Sequence, residues 1–327
     1  MGFRKKEAKK GAMKVAIYGR AGSGKTLTSL LIGEGLAGAS GGRIAYVDTE
    51  AGTDYYAAPS AGRRVHPEAF DFDALEGPGG EAPRSASYIL RELQRLDPKQ
   101  HSVIVLDSVT HIWQNAQDSY SGKKGPNGQI PMHAWARIKA PYKALINWLL
   151  NAPQHVIIVG REGDVYEDDG TGTVSHAGHK MKAEGETAYE PDFLVRMSPT
   201  RRKDGSQVVT AHVEKDRSGV LEPVQYEPTF ATLAAPVLPM LGVEHRQVQD
   251  SESAAAETAD DLARDEAARE AEAQRVYEDL EREIRRASAG EVDKIAKKIT
   301  PKVKKLIGTE RTAALRAAWV AASGGGQ

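Results

Sequence analysis

Short apolar runs alternate with longer stretches of helical periodicity through the first 160 residues. The runs at 13–18, 43–48, 102–107 and 155–159 are too short for buried helices and rich in Val and Ile, so they read as strands. Between them, 25–37, 85–96 and 133–150 carry the 3.6-residue period of helices, with Pro141 expected to kink the last. Strands apolar on both faces, separated by helices, predict a mostly parallel sheet covered on each side. After about residue 192 the pattern shifts to short strands at 193–197, 207–213 and around 223–226. The Lys203-Asp204-Gly205 turn joins two of them as a hairpin, predicting antiparallel strands at the sheet edge.

The stretch 247–261 is rich in Ser, Ala and acids without an apolar period, which predicts a linker. Beyond it Leu262, Val276, Tyr277, Leu280 and Ile284 follow helical spacing. Shorter helices are expected at 290–299 and 309–322, separated by Thr300-Pro301. The chain therefore divides into a basic arm (1–12), an α/β core (13–245), a linker (246–261), a small helical C-terminal module (262–323) and a disordered Gly-rich tail (324–327).

Gly19-Arg20-Ala21-Gly22-Ser23-Gly24-Lys25-Thr26 completes the pattern G-x-x-x-x-G-K-[ST] between the first strand and the helix that opens at Leu27. Glycines let backbone N–H groups turn inward around phosphates, and the helix N-terminus adds positive potential. Lys25 is expected on the β- and γ-phosphates and Thr26 on Mg²⁺. The motif in this context predicts binding of a nucleoside triphosphate, with ATP and Mg²⁺ as the expected cofactors.

Further features follow in order. The run 102–107 ends in Asp107 at a strand tip, where ligands bind in open α/β sheets, and an acid there can orient Mg²⁺ through water. The run 43–48 leads into Asp48-Thr49-Glu50, and Glu50 is the expected general base for the attacking water. Asp54 with Tyr55 or Tyr56 lies just beyond, where an acid and an aromatic are candidates to contact the nucleotide base. Arg161 follows the strand 155–159 and is positioned to sense the γ-phosphate. The polar, Gly-rich segment 162–184 reads as a long structureless loop, a kind usually kept for function. Lys215 and Arg217, two apart after a strand, project from one face and are candidates to complete a neighbour's phosphate site.

Composition removes several classes. The chain has no cysteine, which excludes disulfides and thiolate metal sites and suits a reducing cytoplasm. His176 and His179 stand close together without a third ligand at metal spacing, and read as loop histidines. No apolar run approaches membrane-spanning length, so no membrane partner is expected. Net charge is −1, giving no global attraction for nucleic acid, although charge is blocked along the chain.

Over about residues 13–230 the motifs GRAGSGKT, YVDTE, VIVLDS and EKDRSG resemble, in type, order and spacing, the RecA/RadA-type ATPase superfamily. YVDTE and VIVLDS are similar to strand-exchange recombinases. EKDRSG is similar to the K-x-R element of RadA-type and DnaB-helicase-type ATPases. The compact layout is closest to phage-encoded RecA-like proteins of recombination and single-strand annealing. The resemblance implies a RecA-like P-loop core, Lys25 and Thr26 on phosphate and Mg²⁺, Glu50 as base, Asp107 for Mg²⁺, and Lys215 with Arg217 acting in trans. It also implies DNA-facing segments after Ser108 and after Arg161, bringing in Lys123, Lys124, Lys180 and Lys182. Where RecA-type proteins usually carry Gln near the sensor tip, Arg161 stands here.

The expected protein is a DNA-stimulated ATPase of recombination, annealing or repair that binds single-stranded DNA. It would assemble with itself as a ring or filament, and its C-terminal module would meet DNA or a single-strand-binding protein. A phage-encoded version would work in the host cytoplasm. A hexameric helicase or translocase, or a nucleotide-switched protein without a nucleic-acid role, stand as alternatives.

Overall fold

The computed structural model describes residues 11–63, 65–122, 124–125, 128–168, 170, 174–241 and 251–323. The chain forms two compact units, Met1–Val248 and Gln249–Gln327. The first unit runs β1 (Lys14–Gly19), α1 (Lys25–Ser40), β2 (Arg43–Asp48), β3 (Phe72–Ala74), α2 (Ala86–Leu93), β4 (His101–Asp107), α3 (Val109–Asp118) and α4 (Trp135–Asn151). It continues with β5 (His155–Asp168), β6 (Val174–Met181), β7 (Phe193–Arg201), β8 (Gln207–Asp216), β9 (Val224–Tyr226) and α5 (Phe230–Leu233).

One sheet carries these strands in the order β3-β2-β4-β5-β1-β7-β8-β9, with β6 paired to β5 off that path. Strands β3 to β7 along this order pair parallel, while β7–β8, β8–β9 and β5–β6 pair antiparallel. This is the mostly parallel sheet with antiparallel edge strands expected from the alternation of apolar runs.

Alternating side chains separate two cores. Val15, Ile17, Ile44, Tyr46, Val103, Val105, Ile157 and Val159 face α1 and its Leu30, Ile32 and Leu36. Ala16, Tyr18, Ala45, Val47, Ile104, Leu106, Val156 and Ile158 face Ile89, Ile112, Leu145 and Leu149 of α2, α3 and α4. Burial on both faces is why these strands read as unbroken apolar runs rather than alternating ones. The register places Gly19 beside Arg161 and Met197, and Asp48 beside Asp107, so the strand ends that carry chemistry share one edge.

Several expectations are revised. The segment 162–184 is no structureless loop. β5 continues to Asp168 and pairs with β6, because Val165, Tyr166 and Val174 favour strand and the hairpin satisfies its own backbone. α4 runs through Pro141, which sits in its second turn and removes a single backbone donor. β3 and α3 were not anticipated, being short or lacking clear periodicity.

In the second unit α6 (Ser251–Arg286) already covers 251–261, part of the stretch read as linker. Its Ala- and Glu-rich composition has high helix propensity without needing an apolar face. α7 (Ala289–Ala296) follows. α8 (Pro301–Ser323) is interrupted at Gly308, whose φ of 82° breaks the helical path. Leu280, Ile284, Ile307 and Leu315 form this unit's buried core, flanked by Val276 and Tyr277. The side chain of Leu262 and the tail 324–327 lie outside the described residues.

A buried cation closes the lower end of the first unit. The Lys14 ammonium donates to the carbonyls of Leu149 (3.0 Å), Ala152 (2.7 Å) and Gln154 (2.8 Å), satisfying acceptors left at the end of α4. Beside it, His155 Nδ1 accepts from the Met13 N–H at 3.0 Å, so Nε2 carries the proton and donates to Ser40 Oγ at 3.1 Å. Burial, reinforced by the Lys14 charge, pushes the His155 imidazole down to about 4 from 6.5. Between those values the unfolded chain takes up a proton that the folded chain refuses, so stability falls with falling pH. The imidazole should cost about 2 kcal/mol between about pH 6.5 and about pH 4.5. Urea unfolding at the two pH values, compared between wild type and His155→Gln, should show that extra acid sensitivity only in the wild type.

Candidate functional site

The phosphate-binding loop leaves β1 at Gly19, where a Cβ would lie 2.3 Å from the Met197 carbonyl oxygen of β7. Gly24 caps α1 at φ 81°, a left-handed conformation that only glycine holds cheaply. Lys25 therefore opens α1 and folds over the loop, donating to the Arg20 carbonyl at 2.8 Å. Burial pulls the Lys25 ammonium below its ordinary value, and the carboxylates of Asp107 and Glu50 oppose that shift.

Asp107, at the tip of β4, is buried, and one of its oxygens accepts from Thr26 Oγ1 (2.7 Å) and Tyr46 Oη (2.9 Å). Tyr46 also meets Ser29 Oγ at 3.2 Å, so β2, β4 and α1 converge on this carboxylate. Burial raises Asp107, while the two hydroxyl donors hold it down. The peptide between Asp107 and Ser108 is cis.

Glu50 owes its position to Asp48. One Asp48 oxygen accepts the Glu50 N–H at 2.9 Å; the other accepts the Thr53 N–H at 2.7 Å and its hydroxyl at 2.6 Å. The turn is tied from inside, and Glu50 projects toward the edge shared with β5. There Arg161 Nη2 lies 2.8 Å from Glu50 Oε2 and Nε 3.3 Å from Oε1. His111 Nδ1 stands 3.4 Å from Glu50 and 2.9 Å from Thr49 Oγ1, and burial pulls this imidazole below its ordinary value.

These groups line a cleft of about 450 Å³ that collects Lys25, Thr26, Glu50, Asp107, Arg161 and Lys182. Gly19, Arg20, Ala21 and Gly22 of the loop also border it; Ser23 is buried, Gly24 caps α1, and Leu27 packs against the core. The cleft wall reaches Gly52 but not Asp54 or Tyr55. Asp48 captures Thr53, and the short helical turn Gly52–Tyr55 then carries both outward, leaving Tyr55 83% exposed.

Lys182, expected at DNA, borders the phosphate cleft; Lys180 and Lys124 are exposed, and Lys123 lies outside the described residues. Lys215 pairs with Leu194 and through it stands level with Ala16, four residues along β8 from the Ala211 that is level with Gly19. β8 is bulged between these pairs, so along β1 the separation is three residues, about 10 Å, toward the end of the sheet opposite the loop. The Lys215 ammonium donates to the carbonyls of Tyr189 and Pro191 (2.6 Å) of its own chain. Arg217 pairs with Asp192 at 3.2 Å and keeps 59% of its side chain exposed.

Sequence reasoning missed Asp48, Tyr46, Ser108, His111 and Glu162. Asp48 could have been found from the strand end Asp-Thr-Glu, where one acid anchors the turn that presents the next. Ser108 and Glu162 directly follow Asp107 and Arg161, whereas Tyr46 and His111 join the site only through the packing of β2 and α3, which residue order does not display.

A nucleotide-phosphate loop, a carboxylate at the next strand but one and a carboxylate poised beside both define a P-loop ATPase of RecA-like type. The chain belongs to the AAA-domain family AAA_24, which it matches over residues 11–218. Among solved structures it is similar to a KaiC-like protein from Pyrococcus horikoshii OT3, with 16% identity over 64% of this chain and 80% of that one, at a TM-score of 0.40. It is similar also to the flagellar accessory protein FlaH of Methanocaldococcus jannaschii, with 11% identity over 67% of this chain and 85% of that one, at 0.39. No curated protein matches the chain.

Replacing Asp48 by Ala should leave the buried Thr53 donors and the Glu50 N–H without their acceptor. About 2–3 kcal/mol of stability should be lost. ATP turnover should fall more than nucleotide affinity, because Lys25 and Thr26 are untouched; denaturant unfolding, nucleotide titration and steady-state turnover measure the three effects.

Proposed function

We propose that this ATPase is Mg²⁺-dependent, binds single-stranded DNA, and acts in recombination, annealing or repair with ATP held between neighbouring copies. The observation that carries the DNA reading is the two-faced β5–β6 hairpin. β5 and β1 are level at Arg161 and Gly19, so residues 162–168 project roughly 20 Å beyond the loop end of the sheet. Strand pairing puts Lys180 opposite Gly163, on the face that Arg161 and Lys182 share, and Glu162 and Asp164 on the other. One face thus gathers three cations at the mouth of the phosphate cleft, with Glu167 further out on it, a contact for a phosphate backbone that net charge alone does not reveal.

Thr26 and Asp107 supply the hydroxyl and carboxylate oxygens that a hard divalent ion takes, and their 2.7 Å approach makes them a fitting pair to hold Mg²⁺. Bound there, the ion would neutralise charge on the phosphates. Lys25 withdraws from the Arg20 carbonyl to meet the β- and γ-phosphates. Glu50 accepts a proton from water aimed at the γ-phosphate, a contribution of ~10²–10⁴ in rate. Glu50 is paired with Arg161, and both are substantially exposed, so the pair is worth at most about 1 kcal/mol. A γ-phosphate that draws the Arg161 guanidinium away releases Glu50 for catalysis at the root of the hairpin.

Arg217, exposed and on the far end of the sheet, suits the in-trans role better than Lys215, which is held by its own chain's carbonyls. The C-terminal helices are assigned to contact with DNA or a single-strand-binding protein, in the cytoplasm. Among the described residues no helix is long and apolar enough to cross a membrane.

ATP turnover should rise with single-stranded DNA at low salt, vanish in Lys25→Ala or on chelation of Mg²⁺, and drop more than about 100-fold in Glu50→Gln. Mixing inactive Lys25→Ala with Arg217→Ala chains should restore partial turnover, since each supplies the half-site the other lacks. Turnover indifferent to DNA over a range of protein concentrations overturns the DNA reading; failure of the mixture overturns the shared site. Removing 249–327 should leave nucleotide affinity unchanged in a direct titration.

A further inference from the structure

The acidic face of the β5–β6 hairpin carries a group of metal-ligand atoms that the ATPase chemistry does not use. Asp164 Oδ1 lies 3.2 Å from His179 Nδ1 and 3.4 Å from His176 Nε2, and the three ligand atoms all fall within 4.8 Å of one another. His176 and His179 are three residues apart, so on a regular strand they would point to opposite faces. A bulge prevents this. Val165 pairs with Gly178 but the next residue, Tyr166, pairs with His176, leaving Ala177 as an extra residue on β6. Gly178 takes the φ of 142° that this requires. The inserted residue resets the alternation and turns the His176 imidazole to the side where Asp164 and His179 already face each other.

We propose that Asp164, His176 and His179 form a binding site for a zinc-class divalent cation. Bonds of ~2.0–2.1 Å at the tetrahedral angle place ligand atoms about 3.3 Å apart, which the two Asp164–His separations already match. Two imidazoles with one carboxylate suit borderline cations and not Mg²⁺, which prefers oxygen. The chain has no cysteine to compete for such an ion. Glu162 Oε1, 3.3 Å from His179 Nδ1, supplies a fourth ligand, or water fills that position.

The site touches the phosphate loop through Arg20. Its guanidinium holds Glu162 (Nε–Oε1, 2.9 Å) and Asp164 (Nη2–Oδ1, 3.2 Å), standing where a metal would draw on the same oxygens. Cation and Arg20 therefore compete, and metal binding frees Arg20 toward the cleft that it borders. The earlier reading of loop histidines without a third ligand lacked Asp164, which only the hairpin register brings in.

The test is direct metal binding to the untagged full chain, stripped of metal and held in excess Mg²⁺ so that the Thr26–Asp107 position is not sampled. Zn²⁺ titration should show one equivalent bound, and Co²⁺ should develop visible bands of a low-coordinate nitrogen–oxygen site. Asp164→Asn and His179→Ala should weaken Zn²⁺ binding by more than about 100-fold, since loss of a group merely behind a ligand already costs ~10–100-fold. Deleting Ala177 keeps both histidines but should turn His176 away and weaken binding too. Arg20→Gln should tighten it, and His133→Ala, far along the sequence in an exposed turn, should leave it unchanged. Circular dichroism of each variant separates loss of the site from loss of fold. Absence of a stoichiometric site in the wild type, or retention of wild-type affinity in well-folded Asp164→Asn and His179→Ala, overturns the proposal.

Discussion

The Asp107 carboxylate is the constraint from which the rest of the site takes its geometry. Burying a carboxylate away from water is costly unless donors replace the lost hydration. Here the donors are hydroxyls from two other elements, Thr26 at the start of α1 and Tyr46 on β2. Those bonds make the strand order consequential. β4 can present Asp107 to Thr26 only because β5 alone separates it from β1, and Tyr46 reaches the same oxygen only because β2 pairs directly with β4. The P-loop, the adjacent carboxylate strand and the phosphate-binding helix are thereby locked in relative position before any nucleotide arrives.

Against that rigid base the Glu50–Arg161 pair is soft. Its atoms are within hydrogen-bond reach, yet solvent screens both groups, so the free energy holding them together is small. Arg161 is anchored elsewhere by its backbone, with its N–H donating to Thr110 Oγ1 at 2.9 Å. Only the guanidinium is free to exchange partners. A weak side-chain contact mounted on a fixed backbone can respond to phosphate without unfolding anything, and it lies at the root of the hairpin.

The sheet, its order of apolar runs, the phosphate loop and the acids Glu50 and Asp107 were legible because each depends on local pattern: unbroken apolar strands, a glycine spacing, an acid at a strand end. The hairpin at 162–184 was not, since its polar and glycine-rich residues resemble a loop until their pairing is known. The same holds for Asp164, which meets His179 by direct strand pairing and His176 only across a bulge of one residue. The turn that presents Glu50 also places Asp54 and Tyr55: the internal capture of Thr53 by Asp48 turns the chain outward beside Glu50, where Tyr55 stands exposed. The helical stretch 251–261 was masked by the absence of an apolar period, although Ala and Glu need none to form a helix.

The position of Arg217 bears on how copies would assemble. The phosphate loop leaves the C-terminal end of β1, and β8 carries its cations toward the N-terminal end of the same sheet. If Arg217 completes a neighbour's cleft, one copy's lower edge must meet another's upper edge. Two such different patches cannot easily satisfy each other in a single two-fold contact, because each copy would have to turn both ends toward one partner. A head-to-tail contact satisfies them one at a time and repeats, closing as a ring or continuing as a filament. The polarity of the parallel sheet, set by the order of apolar runs, would then also set the polarity of the assembly.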